Sequence, residues 1–134
     1  MLNAIDVPFD ASKYAFRTNF DGLTITNNSF SDRLENAKTK YQDALKQFES
    51  VDKDARKEYK DSKDEGFTSD NFGTWVVQNY PQWSNEKSIL EARGTELTQI
   101  AMAAFGPAYQ EKHRKDQSAF NNAAYQAGHH PEIV

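Results

Sequence analysis

The chain has no cysteine. That excludes disulfide scaffolds, thiolate metal sites and cysteine nucleophiles. Helix breakers are also scarce, with six glycines and four prolines in 134 residues. Only three histidines occur, and none has the H-x-x-x-H or H-E-x-x-H spacing that places two ligands on one helix face. No apolar run approaches the roughly 20 residues of a membrane span. Met1 to Phe20 has no basic stretch followed by an apolar one, so no signal peptide is expected. The compartment stays open.

No single charge sign dominates either. The net charge is −4, whereas a phosphate-binding surface needs a basic face. The run Lys112-His113-Arg114-Lys115 is the one basic cluster, and a nucleic-acid partner is not expected. Phosphate-cradling loops and the G-x-S-x-G turn are missing. The carboxylates alternate with lysine and arginine, which suits solvation better than paired acid–base chemistry. The sequence therefore predicts a non-enzyme with no cofactor and no metal. His113 reads as a solvated helix residue, and His129-His130 as part of a polar tail.

Aromatics are plentiful, with nine Phe, six Tyr and two Trp. A mean hydropathy of −0.87 combined with so many rings points to long solvated helices rather than disorder. The hydrophobic period supports this. Phe30, Leu34, Ala37, Tyr41, Ala44, Phe48, Val51 and Ala55 follow one another at steps of four and three. That spacing predicts a helix over about 30–65 with one narrow buried seam. Ser29-Phe30-Ser31-Asp32 supplies a start signal, and Gly66 a stop. Residues 31–65 hold nine basic and ten acidic side chains. Glu49 with Lys53 and Asp52 with Arg56 stand in the favourable i,i+4 order.

A second seam runs through Leu90, Gly94, Leu97, Ala101, Ala104 and Ala108, widened by Ile89, Ile100 and Phe105. Gly106-Pro107 interrupts it, so helices are expected over about 84–105 and 107–127. The predicted fold is mainly α, a long antiparallel helical hairpin or a three-helix bundle, in one domain over 1–134. A small β-hairpin is predicted over about 14–26. There Tyr14, Phe16, Thr18 and Phe20 alternate with Ala15, Arg17 and Asn19, and Asp21-Gly22 suits a two-residue turn. Ile133-Val134 is its candidate third strand. Strand pieces at both ends fit a domain cut from a larger β-containing protein. Tyr14, Phe16 and Phe20 would line any small-ligand cleft beside the hairpin.

The connector 66–83 is the most distinctive stretch. Phe67, Phe72, Trp75, Tyr80 and Trp83 put five aromatics in 17 residues, including both tryptophans of the chain. Thr68 or Ser69 can cap a short helix whose face carries Phe72, Trp75 and Val76, with Tyr80-Pro81 ending it. Two roles fit these rings. They plug the end of the hairpin, or they form an exposed anchor of the kind that dominates interfaces. The solvent exposure of Trp75 and Trp83 decides between the two. The candidate binding surface is therefore Phe67, Phe72, Trp75, Val76, Tyr80 and Trp83. The function read from the sequence is a structural or protein-interaction module that binds another protein or its own copy. The second reading is a membrane-active hairpin whose aromatic tip enters lipid, since Trp and Tyr favour membrane interfaces.

Overall fold

The computed structural model describes residues 7–126, with side chains to residue 123. Four α-helices carry the architecture: α1 (Ser31–Asp64), α2 (Phe72–Asn79), α3 (Pro81–Phe105) and α4 (Pro107–Gln126). At 34 residues, α1 is about 50 Å long. The predicted seam becomes its buried stripe. Leu34, Ala37, Tyr41, Ala44, Phe48, Val51 and Ala55 are all buried, and Phe30 is half-buried just ahead of the helix. Leu45 and Asp52 join the stripe.

The other face of the seam is α3. Leu90, Gly94, Leu97, Ala101 and Ala104 are buried along it. Tyr41 lies opposite Gly94, and Phe48 meets Trp83 at a tilt farther up. Moving forward along α1 therefore means moving backward along α3, the expected antiparallel hairpin. Ala108 is exposed, because the chain leaves the seam at Gly106, with φ 76°. Ile89 also faces solvent. α3 begins at Pro81, three residues before the predicted start. Proline at the first helical position gives up only a donor that would be unpaired there anyway.

After Gly106, α4 turns back. Tyr109 stacks on Phe105, and Phe120 packs on Tyr14 and Phe16. The mainly helical expectation therefore holds, with α4 packed on α3 and on the N-terminal segment.

That segment is not a β-hairpin. Residues 11–18 form a 3₁₀ helix, and no strand exists among the described residues. The physical reason is a period of three rather than two. A 3₁₀ helix aligns i and i+3, and Ala11, Tyr14, Arg17 and Phe20 share the inward face, with Tyr14 and Arg17 buried. Asp10 caps it, accepting from the Ser12 amide at 3.0 Å. Glu49 of α1 accepts from the Ala11 amide at 2.8 Å. Asp21-Gly22 does turn the chain, with the Leu23 amide bonded to the Phe20 carbonyl at 3.1 Å. Only Gly22 has positive φ, so the two positive residues of a hairpin turn are absent. The return segment instead caps α3, where the Thr26 and Asn27 amides donate to the Ala104 carbonyl at 2.8 and 3.2 Å. Helix ends leave such carbonyls unpaired. The candidate third strand, Ile133-Val134, lies outside the described residues. Of the two strand pieces, the N-terminal one is therefore replaced by a 3₁₀ helix.

Two helix starts also differ from expectation. Asn27, not Ser29, provides the side-chain acceptor ahead of α1, receiving the Ser29 amide at 3.2 Å and leading into a short 3₁₀ turn. Asn71, not Thr68 or Ser69, caps α2, receiving the Thr74 amide at 2.8 Å.

At Gly94, α3 leaves little room beside the Tyr41 side chain of α1. A Cβ there would sit 3.2 Å from Tyr41 Cε1 and 3.4 Å from Arg17 Nη2. Alanine gains about 1 kcal/mol of helix propensity, and the overpacking offsets it. Gly94→Ala should therefore be near neutral. Gly94→Val brings two more methyl groups against a buried tyrosine and should lose about 2 kcal/mol. Urea denaturation of the pair checks this ordering.

Candidate functional site

The end of the hairpin is built by the connector. α1 stops in a left-handed glycine cap. The Gly66 amide donates to the Lys63 carbonyl at 3.1 Å, and the Phe67 amide to the Ser62 carbonyl at 2.9 Å. In this cap the residue after glycine ordinarily packs an apolar side chain on the last turn of the helix. Here the position it would cover is Ser62, and Phe67 is left 79% exposed.

The chain then returns beneath the helix end. The Tyr59 hydroxyl donates to the Asp70 carbonyl at 2.7 Å. α2 follows, and its inward face is Phe72, Trp75 and Val76, as the i, i+3, i+4 spacing predicts. All three are buried. Tyr59 sits 5.5 Å from both Phe72 and Trp75. Trp83 meets Phe72 edge-on at 6.0 Å, and half-buried Tyr80 flanks Trp75. The Arg56 guanidinium lies 4.0 Å above the Phe72 ring.

Trp75 is 5% exposed and Trp83 3%. By the criterion set on the sequence, these rings are the plug that closes the seam. The structure thus divides the six candidate residues. Phe72, Trp75, Val76 and Trp83 lie inside, Tyr80 stands at the margin, and Phe67 projects. Val77, on the outer face of α2, is 60% exposed and is the other large exposed apolar side chain of the connector. Sequence reasoning passed over Val77, although its place one residue after the inward-facing Val76 was a usable signal.

The plug is anchored by a buried carboxylate. Asp52, 2% exposed, accepts from the Trp83 indole N–H at 2.8 Å, the Phe9 amide at 2.9 Å and Arg56 Nε at 2.8 Å. Arg56 Nη2 in turn donates to the Val7 carbonyl at 2.8 Å. One aspartate thus joins α1, the start of α3 and the N-terminal segment. Phe9 stacks on Tyr14 and meets Phe48 edge-on, so a run of rings continues from the plug into the bundle.

Elsewhere, a groove of about 540 Å³ lies between the N-terminal segment and α1. Phe20, Leu23, Ile25, Leu34 and Phe105 line it, with Asp21, Glu35 and Lys38 nearby. Of the three aromatics expected beside a cleft, only Phe20 lines this groove, while Tyr14 and Phe16 pack on Phe120. His113 stacks on Tyr109. Its partial burial, followed by the nearby Arg17 charge, holds its pKa below the usual value. No group of His, Asp or Glu able to hold a metal occurs among the described residues. The His129-His130 pair lies outside them. No helix among the described residues is long and apolar enough to cross a membrane. Comparison with protein-family models, with curated proteins and with solved structures finds no match for this chain.

Proposed function

We propose that this protein is a non-catalytic helical interaction module whose hairpin tip docks on another protein. The observation that supports this most is Phe67. A large aromatic ring stands 79% exposed on a cap held by two backbone hydrogen bonds. The ring plug that follows it in the chain is buried and cross-braced. A ring presented on a fixed base loses little freedom on binding, which favours affinity. Val77 adds a second exposed apolar side chain on the connector. Interface energy concentrates in a few such anchors surrounded by polar residues. The polar surroundings are supplied by residues 57–70, where Lys57, Lys60 and Lys63 mix with Glu58, Asp61, Asp64, Glu65 and Asp70. Carboxylates outnumber lysines there, which favours a protein partner over an anionic bilayer.

The double variant Phe67→Ser, Val77→Ser tests the reading. Both side chains are exposed, so the melting temperature should stay within about 2 °C of the parent. Partner capture, or self-association seen by light scattering, should fall at least tenfold. Capture unaffected by the double variant would place the contact elsewhere. Co-sedimentation with lipid vesicles that the double variant loses would replace the protein partner with a membrane.

A further inference from the structure

The outward face of α3 is unlike that of α1. Eleven residues of α3 are exposed, and only one of them, Glu91, is charged. Along α1 nineteen residues are exposed, and fifteen of them are charged. The uncharged positions of α3 are also ordered. Asn85, Ser88, Ala92, Thr95, Gln99 and Met102 are all exposed and follow one another at steps of three and four. That is the spacing of a seam between two helices, and α1 and α3 use it on their buried sides. Met102 is 38% exposed, and Ile89 beside this line is 39% exposed.

The hydroxyls on this face are already engaged within the helix. Ser88 Oγ donates to the Ser84 carbonyl and Thr95 Oγ1 to the Glu91 carbonyl, both at 3.1 Å. Covering them leaves no hydroxyl donor stranded, which removes much of the cost of burying a polar side chain.

We infer that this face pairs with the same face of a second copy of the chain, α3 against α3 in antiparallel order. Charge selects both the partner and the direction. A chain of net charge −4 repels its own copies through its acidic surfaces, and this face adds little to that repulsion. A twofold axis sets Asn85 against Met102, Ser88 against Gln99 and Ala92 against Thr95, so the face is its own complement. Arg93 and Glu96 lie together on one flank, 40% and 41% exposed and paired at 3.2 Å within the chain. The same axis brings each arginine beside the other copy's glutamate, which joins the two pairs into one network of alternating sign. Parallel pairing would instead set Glu91 against the other copy's Glu96, a like-charge contact at the positions that decide helix orientation.

The contact is short. From residue 85 to residue 102, α3 runs about 26 Å, and a helix is about 10 Å wide. That is less than the roughly 800 Å² that each partner of a stable complex buries, so the dimer should dissociate in the micromolar range. Because α3 begins at the tip, an antiparallel pair carries its two tips at opposite ends. The inference does not rest on the role of the tip.

The test is sedimentation velocity of the full chain over a range of concentrations, in the Phe67→Ser, Val77→Ser background, so that association through the tip plays no part. The chain should pass from monomer to dimer below about 500 μM. Ala92→Arg puts two like charges at the centre of the pair and should weaken dimerisation at least tenfold. Position 92 is exposed, so at concentrations where both proteins are monomeric the melting temperature should stay within about 2 °C. The chain has no cysteine, so introduced thiols report the order of the pair. Ser88→Cys mixed with Gln99→Cys should oxidise to the mixed disulfide in preference to either homodimer. A monomer at every concentration would overturn the inference, as would a dimer that Ala92→Arg leaves intact. Homodimeric disulfides formed in preference to the mixed one would overturn the antiparallel order.

Discussion

Asp52→Ala should cost about 3–5 kcal/mol, the largest loss expected from a single charged residue here. The carboxylate is 2% exposed and receives three donors from three parts of the chain. Removing it leaves the Trp83 indole N–H and the Phe9 amide without this acceptor, and it removes the carboxylate paired with Arg56 Nε. Each orphaned buried donor costs about 1–3 kcal/mol. A domain of this kind is stable by about 5–15 kcal/mol in all, so the variant should melt far below the parent. Asp52→Asn keeps an acceptor of similar shape and should lose about 2 kcal/mol. Urea titration followed by circular dichroism gives the difference. Tryptophan emission should shift as well, because Trp83 loses its bonded partner. An Asp52→Ala protein as stable as the parent would mean that the N-terminal segment does not dock as described.

Phe48→Ala should cost a similar amount, about 3–5 kcal/mol. The ring is 1% exposed and lies 4.8 Å from Phe9 and 5.3 Å from Trp83. Its removal opens a cavity where α1, α3 and the N-terminal segment meet. The neighbours are themselves fixed, Phe9 and Trp83 by Asp52 and α1 by its long seam, so collapse into the space should be limited. The two substitutions act on the same pair of neighbours. Their losses should therefore fall short of additive by about 1 kcal/mol in the double variant. A strictly additive result would separate the hydrogen-bond anchor from the ring contact.

The helices were readable because their periods are strict. From Leu34 to Ala55, every seam position chosen by spacing is buried. The connector was readable for the same reason, since Phe72, Trp75 and Val76 fall on one helical face. What escaped the sequence was the inward use of charge. Asp52 and Arg56 look like a surface pair at i,i+4, yet Asp52 is the anchor of the plug. Arg17 interrupts the period-three face of the 3₁₀ helix for any reading that sends charge outward. With Arg17 set aside, Tyr14, Phe16 and Phe20 read as an alternating strand. Burial of a charge depends on partners distant in sequence, and here those partners are Trp83, Phe9, Gly94 and Thr98. No local pattern announces them. The tip was only half readable. Composition marked the connector, but which rings face inward depends on where Tyr59 and Trp83 meet α2.

The division of the tip into a buried plug and a projecting pair is what a photo-crosslinker can address most directly. A benzophenone amino acid placed at position 67 or 77 should capture one specific protein partner, or a second copy of this chain. The same group at exposed position 46, midway along α1, should not. Capture confined to 67 and 77 is the result this structure predicts. Equal capture from all three positions, or none from 67 and 77, would contradict the tip as the docking surface.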